Sequence, residues 1–172
     1  MEFSQVLNPK TIVTHLNVKD KAEALEAMAD LFVNADVIKD KATYIKDVYI
    51  REEFGATGIG NYIAIPHGKS ESVVTPGVAI AVLDHEIEWE SLDDTGAKVI
   101  ILFAVGADNE AAQEHLKMLA MFSKYLGKDA VVAKLIGADT AEDVINAFAE
   151  DGEESVVDVE EEELNLDEIS IL

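Results

Sequence analysis

Apolar residues recur at helical spacing in Leu25, Met28, Ala29 and Phe32, and Asp20 with Glu23 three positions later forms a capping pair ahead of them. That pattern predicts a helix over 20–34. A second helix is expected from Asp40, with Ile45, Val48 and Tyr49 on its buried face, Arg51 in its last turn and Gly55 as its stop. Between 55 and 68 the texture changes to Gly55, Gly58 and Gly60, a short strand signal over Tyr62-Ile63-Ala64-Ile65, then Pro66-His67-Gly68. Val78–Leu83 and Val99–Val105 are unbroken apolar runs, as expected of central strands covered by helices on both faces. Ile87 and Trp89 alternate with Glu86, Glu88 and Glu90, which predicts an edge strand over 86–90 with one face in water. Asp108 or Asn109 caps a long helix reaching Leu126, with Leu116, Leu119 and Phe122 inward, and Thr140 with Asp143 opens another that buries Val144, Ile145 and Phe148. Strands alternating with helices predict a layered α/β domain with helices on both sides of the sheet.

At 172 residues and 49% apolar composition, the chain is long enough and hydrophobic enough for one folded domain, and wholly disordered classes are excluded. The expected division is a domain over 1–150 and an acidic tail or linker over 151–172, where ten Asp or Glu residues occur without a Lys or Arg. Of the formal charge of −22, the first 150 residues thus hold −12. A body of that sign repels a polyphosphate backbone, so nucleic-acid binding is excluded. No apolar run is long enough to cross a bilayer, and no basic start followed by a hydrophobic stretch marks a secretory signal. The absence of cysteine removes disulfides, thiolate metal sites and thiol nucleophiles and fits a reducing, cytoplasmic setting.

Two nucleotide motifs fail at one position. Gly58 and Gly60 would need a third glycine where Ile63 stands, and so would a P-loop ending in Gly68-Lys69-Ser70. The four histidines, His15, His67, His85 and His115, are isolated from one another in sequence, so no metal or cofactor site is expected. His67 is the most suggestive of them, because Pro66 fixes the backbone before it and Gly68 removes bulk after it. A neutral imidazole nitrogen there is a competent nucleophile, and a turn histidine bonded to backbone accounts for the same pattern. His115 reads equally as the edge of a helix's buried face, and Arg51 either complements a helix C-terminus or holds an anion. His15 and His85 read as surface or strand-end residues.

The run Arg51-Glu52, then Thr57-Gly58-Ile59-Gly60-Asn61-Tyr62-Ile63-Ala64-Ile65-Pro66-His67-Gly68-Lys69, resembles the phosphocarrier segment of the EIIA domain of the fructose and mannitol class of the bacterial phosphoenolpyruvate:sugar phosphotransferase system. The likeness extends over about residues 5–148 and includes Glu114-His115 on a late helix. It departs where family members commonly have glycine or aspartate-glycine and this chain has Asn61-Tyr62. The resemblance implies a mixed β-sheet flanked by helices on both faces. It also implies a phosphotransferase component in which His67 accepts a phosphoryl group from phospho-HPr. The group then passes to a cysteine of an EIIB domain, which serves uptake of fructose or a related sugar through membrane EIIC.

On that resemblance His67 is the phosphorylated residue, Arg51 the arginine near it and His115 the second active-site histidine. A phosphoryl group on His67 adds about two negative charges to an acidic body, so local donors must hold it. Arg51, His115, the Thr57 hydroxyl, the Gly58, Gly60 and Gly68 amides and Lys69 are the candidates. Because the chain has no cysteine, the EIIB step falls to another chain or domain. The alternative is a nitrogen-related EIIA-type regulatory module, which has the same histidine motif and acts by phosphorylation-dependent partner binding.

Overall fold

The computed structural model describes residues 3–149, and the acidic segment over 151–172 lies outside them. A short helix α1 (Phe3–Val6) and a 3-10 turn (Pro9–Thr11) lead into strand β1 (Ile12–Leu16). Helices α2 (Lys21–Asn34) and α3 (Lys41–Glu52) follow, then three short strands, β2 (Gly58–Gly60), β3 (Ile63–Ala64) and β4 (His67–Lys69). Long strands β5 (Gly77–Ile87) and β6 (Ala97–Val105) come next, then α4 (Asn109–Leu126), α5 (Asp129–Ile136) and a last helix α6 over 141–149. The sheet is mixed and runs β1-β5-β6-β3-β2, with β4 beside β6 beyond β3. β5 and β6 are antiparallel, while β1 runs parallel to β5 and both β3 and β4 run parallel to β6.

The unbroken apolar runs become the two central strands because each face of the sheet meets its own layer of helices. Alternation along β6 sends Val99, Ile101, Phe103 and Val105 to a core with Phe122, Leu135, Val144 and Phe148. Ile100, Leu102 and Ala104 go to the other, with Leu25, Met28, Phe32, Tyr44 and Val48. The caps act as their residue types predict. Asp20 accepts from the Glu23 amide at 2.9 Å, Asp40 from the Thr43 amide at 3.1 Å, and Asp108 from the Ala111 amide at 2.7 Å. Thr140 and Asp143 bond each other's amides reciprocally at 3.1 and 3.2 Å.

Four expectations change. Residues 86–90 are no separate edge strand: β5 carries on through Ile87 after a break in its pairing with β6, and Ile87 and Trp89 are both buried. The buried face of α3 is Tyr44 and Val48, with Tyr49 38% exposed. On α4 the inward stripe is Met118, Phe122, Tyr125 and Leu126, whereas Leu116 is 65% exposed. The Pro66-His67-Gly68 segment is not a bare turn, since His67, Gly68 and Lys69 pair with Phe103, Ala104 and Val105. Among the described residues no helix is long and apolar enough to cross a membrane.

Candidate functional site

Gly68 sets the geometry at which α3 meets β4. A Cβ there would stand 2.7 Å from Val48 Cγ2 and 2.8 Å from Tyr44 Cε1, so only glycine admits so close a packing. Tyr44, fully buried, locks the same contact by donating its hydroxyl to the Phe103 carbonyl at 2.7 Å. Close packing brings the last turn of α3 alongside the start of β4, and so Arg51 reaches His67. The Arg51 Nε–H donates to His67 Nε2 at 3.0 Å, and Nη1 donates to the Gly55 carbonyl at 3.2 Å.

On its other side the His67 ring places Nδ1 3.4 Å from the Ile65 carbonyl. An acceptor at Nδ1 and a donor at Nε2 favour one tautomer, with the proton on Nδ1 and the lone pair on Nε2. Partial burial, more than the nearby guanidinium, lowers the proton affinity of His67, against opposing pulls from the Ile65 carbonyl and Glu52. The ring is therefore neutral near pH 7. His115, from the second turn of α4, lies with its ring centroid 4.9 Å from that of His67 and 5.3 Å from Phe103. Burial first, and His67 second, push its pKa down to about 4. Its Nε2 is buried without a hydrogen-bond partner, which leaves one polar atom unused beside His67.

These groups open into a cavity of about 470 Å³. Arg51, His67, Lys69, His115 and Asp47 line it together with Ile50, Phe54, Val105, Ala112 and Leu116. Ile50, Phe54 and Leu116 are 43%, 82% and 65% exposed, so an apolar rim surrounds a polar floor. The outward turn of Leu116 is thus part of this rim. Sequence pattern alone does not reveal Phe54 or Ile50, because exposed apolar side chains on a helix end and a turn have no periodic signature.

The other candidates are placed elsewhere. Thr57 is buried, and its Oγ1 accepts from Trp89 Nε1 at 3.0 Å. The Gly58 amide is already bonded to the Glu90 carbonyl at 3.0 Å, and Gly58 and Gly60 belong to β2, outside the cavity lining. Their glycine character serves packing, since a Cβ on Gly58 would meet the Glu90 carbonyl at 2.6 Å and one on Gly60 the Asp93 carboxylate at 2.7 Å. Asn61 and Tyr62 form the turn after β2, both at positive φ, with Lys98 4.4 Å over the Tyr62 ring. His15, exposed on β1, stands 2.9 Å from Asp139 and 3.5 Å from Asp84, remote from the cavity lining. His85 is exposed near the end of β5.

A neutral ring nitrogen whose lone pair carries no proton, an arginine fork bonded to it and a lysine at a solvent-open hollow can accept and steady an electrophile bearing negative oxygens. A family model described as "Phosphoenolpyruvate-dependent sugar phosphotransferase system, EIIA 2" matches residues 5–151. The "PTS system fructose-specific EIIABC component" of Bacillus subtilis is 29% identical over 85% of this chain, which spans 23% of that protein's length. A "Nitrogen regulatory protein" of Pseudomonas aeruginosa is 32% identical over 83% of this chain and 91% of its own length. Among solved structures, the complex of enzyme IIAMTL and phosphorylated enzyme IIBMTL from Escherichia coli has a chain superposing at TM-score 0.70 and 19% identity. The match covers 83% of this chain and 96% of that one, which establishes a common fold.

Proposed function

The chain belongs to the EIIA 2 family of the phosphoenolpyruvate-dependent sugar phosphotransferase system, and we propose that it carries a phosphoryl group on His67 between phospho-HPr and the cysteine of an EIIB domain. The observation that carries this reading is the Arg51–His67 contact at 3.0 Å, at the floor of an open cavity with a second neutral histidine alongside.

The reaction follows from the tautomer. The Nε2 lone pair attacks the phosphorus as its bond to the donor's histidine nitrogen breaks, and the His67 proton stays on Nδ1 facing the Ile65 carbonyl. Arg51 Nε gives up the nitrogen in favour of an equatorial phosphoryl oxygen, with Lys69 at the cavity wall and the spare His115 nitrogen as further contacts. Because loose transition states of this kind spread charge over three oxygens, donors fixed around the site do most of the work. Thr57, Gly58 and Gly60 lie outside the cavity lining on this reading, with the Thr57 hydroxyl accepting from Trp89 and the Gly58 amide bonded to Glu90.

The phosphorylated enzyme IIB partner in the Escherichia coli complex supports an EIIB domain as the acceptor, and the fructose-specific relative supports transport of fructose or a related sugar through EIIC. A second reading, regulation by phosphorylation-dependent partner binding, is favoured by the nitrogen regulatory relative, which the chain matches over 91% of its length. Incubation with phosphoenolpyruvate, Enzyme I and HPr, followed by mapping of the labelled residue, tests the shared chemistry. Acid-labile, base-stable label on His67 is expected, and label elsewhere or none at all overturns it. Transfer onward to an EIIB cysteine separates transport from regulation.

A further inference from the structure

Behind the cavity a line of polar contacts links Trp89 to the reacting ring. Trp89, 6% exposed, donates its indole N–H to Thr57 Oγ1 at 3.0 Å, and Thr57 is itself 3% exposed. The Thr57 carbonyl accepts the Ile65 amide at 2.9 Å, and the Ile65 carbonyl faces His67 Nδ1 at 3.4 Å. Lys21 stands 4.7 Å over the Trp89 ring, bonds Glu90 at 2.7 Å, and pairs with Glu52, the residue next to Arg51. Glu52 is 8% exposed and Lys21 17% at the side chain, so this pair is screened little by water.

From this arrangement we infer that Trp89 and Thr57 are positioning residues for His67, fixing its tautomer through the Ile65 carbonyl, while Lys21 ties the same line through Glu52 to the helix end that bears Arg51. The inference rests on the proposed carrier role only for its kinetic consequence. A buried indole N–H and a buried threonine hydroxyl satisfy each other here, and their bond spans two segments that pack side by side. Without it the start of the 57–65 hairpin loses its side-chain tie to the Trp89 segment, the Thr57 carbonyl and with it the Ile65 amide and carbonyl shift, and the Nδ1–H tautomer loses its well-placed acceptor. A displacement of the nucleophile by about 1 Å is enough to slow an aligned displacement by about a hundredfold.

The test uses the full chain with Trp89→Phe, Thr57→Val and Thr57→Ser. Phe keeps an aromatic ring beneath Lys21 and loses the indole N–H together with the pyrrole ring, whereas Thr57→Val removes only the acceptor hydroxyl, which Ser retains. In the unmodified protein, ¹⁵N imidazole spectra are expected to show His67 as the Nδ1–H tautomer in wild type and Thr57→Ser, and as a mixture in the other two. Labelling by phospho-HPr is expected to fall about tenfold in its saturating rate for Trp89→Phe and Thr57→Val, with half-saturation changed less than about twofold. Folded variants with an unchanged His67 spectrum and an unchanged rate overturn the inference, and so does a Thr57→Ser variant that behaves like Thr57→Val. If one variant fails to fold, the comparison within the remaining pair decides. Wild-type protein that is never labelled defeats the carrier reading instead, and the spectra of the unmodified protein still decide this one.

Discussion

At His67 and His115 the fold lowers the proton affinity of both rings below the ordinary imidazole value, chiefly by burial, and takes His115 to about 4. The unfolded chain then binds protons first as pH falls through about 6.5. The stability these rings contribute is whole above that pH and is lost between there and about 4. Urea unfolding at pH 7.5 and at pH 4.5 checks this: His115→Gln is expected to lose less stability between the two pH values than wild type, and an equal loss contradicts it. The same depressed proton affinity keeps Nε2 of His67 available at mildly acid pH, so labelling is expected to hold nearly constant from pH 8 to 6.5. His67→Ala is expected to abolish labelling with the thermal midpoint little changed, because the ring is half-buried at a cavity wall and fills no core space. Arg51→Ala is expected to slow labelling by about a hundredfold or more, the usual cost of one preorganised donor. Arg51→Lys is expected to recover only part of it, since an ammonium lacks the fork that reaches both Gly55 and the reacting centre. Stopped-flow rates of the two variants decide this.

Between elements, the decisive contact is α3 against β4. Gly68→Ala forces Val48 and Tyr44 apart from β4, and overpacking of this kind costs about 1–3 kcal/mol. Because Arg51 and His67 stand on the two elements being separated, the variant is expected to slow labelling at temperatures where it remains folded. Tyr44→Phe, which removes the buried hydroxyl's bond to the Phe103 carbonyl, is expected to lose about 0.5–1.5 kcal/mol and less rate. Denaturant midpoints with labelling rates measured on the same samples distinguish the two effects. Elements with a strong local signal were legible in the sequence. The Asp and Thr caps of α2, α3, α4 and α6 and the double-sided apolar runs of β5 and β6 are such signals. Elements specified by their surroundings were not. β1 is five residues at a sheet edge with mixed burial, and α5 begins at Asp129 after Lys128, which makes no side-chain cap bond. β4 is a strand only because β6 supplies its partners, and Trp89 is buried by tertiary packing in a segment whose alternation suggests a water-facing strand. At the site, Arg51, His67, His115 and Lys69 were legible as candidates through the family resemblance, and the structure gathers them at one cavity. The motif did not separate residues that face the cavity from those that support it. Thr57 and Gly58 share the motif with His67, but the Thr57 hydroxyl and the Gly58 amide answer to Trp89 and Glu90.

For the molecule as a whole, the family match covers residues 5–151, and the described residues 3–149 hold two apolar cores, one on each face of the sheet. A chain ending at residue 150 is therefore expected to fold as a unit, with a denaturant midpoint close to that of the full chain and label on His67. Removing the segment takes the formal charge from −22 to −12. If the donor presents basic groups around its phosphohistidine, the loss of ten negative charges lowers its encounter rate at low salt, and screening removes the difference as ionic strength rises. Labelling rates of the two chains are thus expected to differ at about 10 mM salt, where the screening length is about 30 Å, and to converge near 1 M, where it is about 3 Å. A truncated chain that unfolds places the domain boundary beyond 150. Rates that differ equally at both ionic strengths assign the segment a contact role at the site in place of long-range steering.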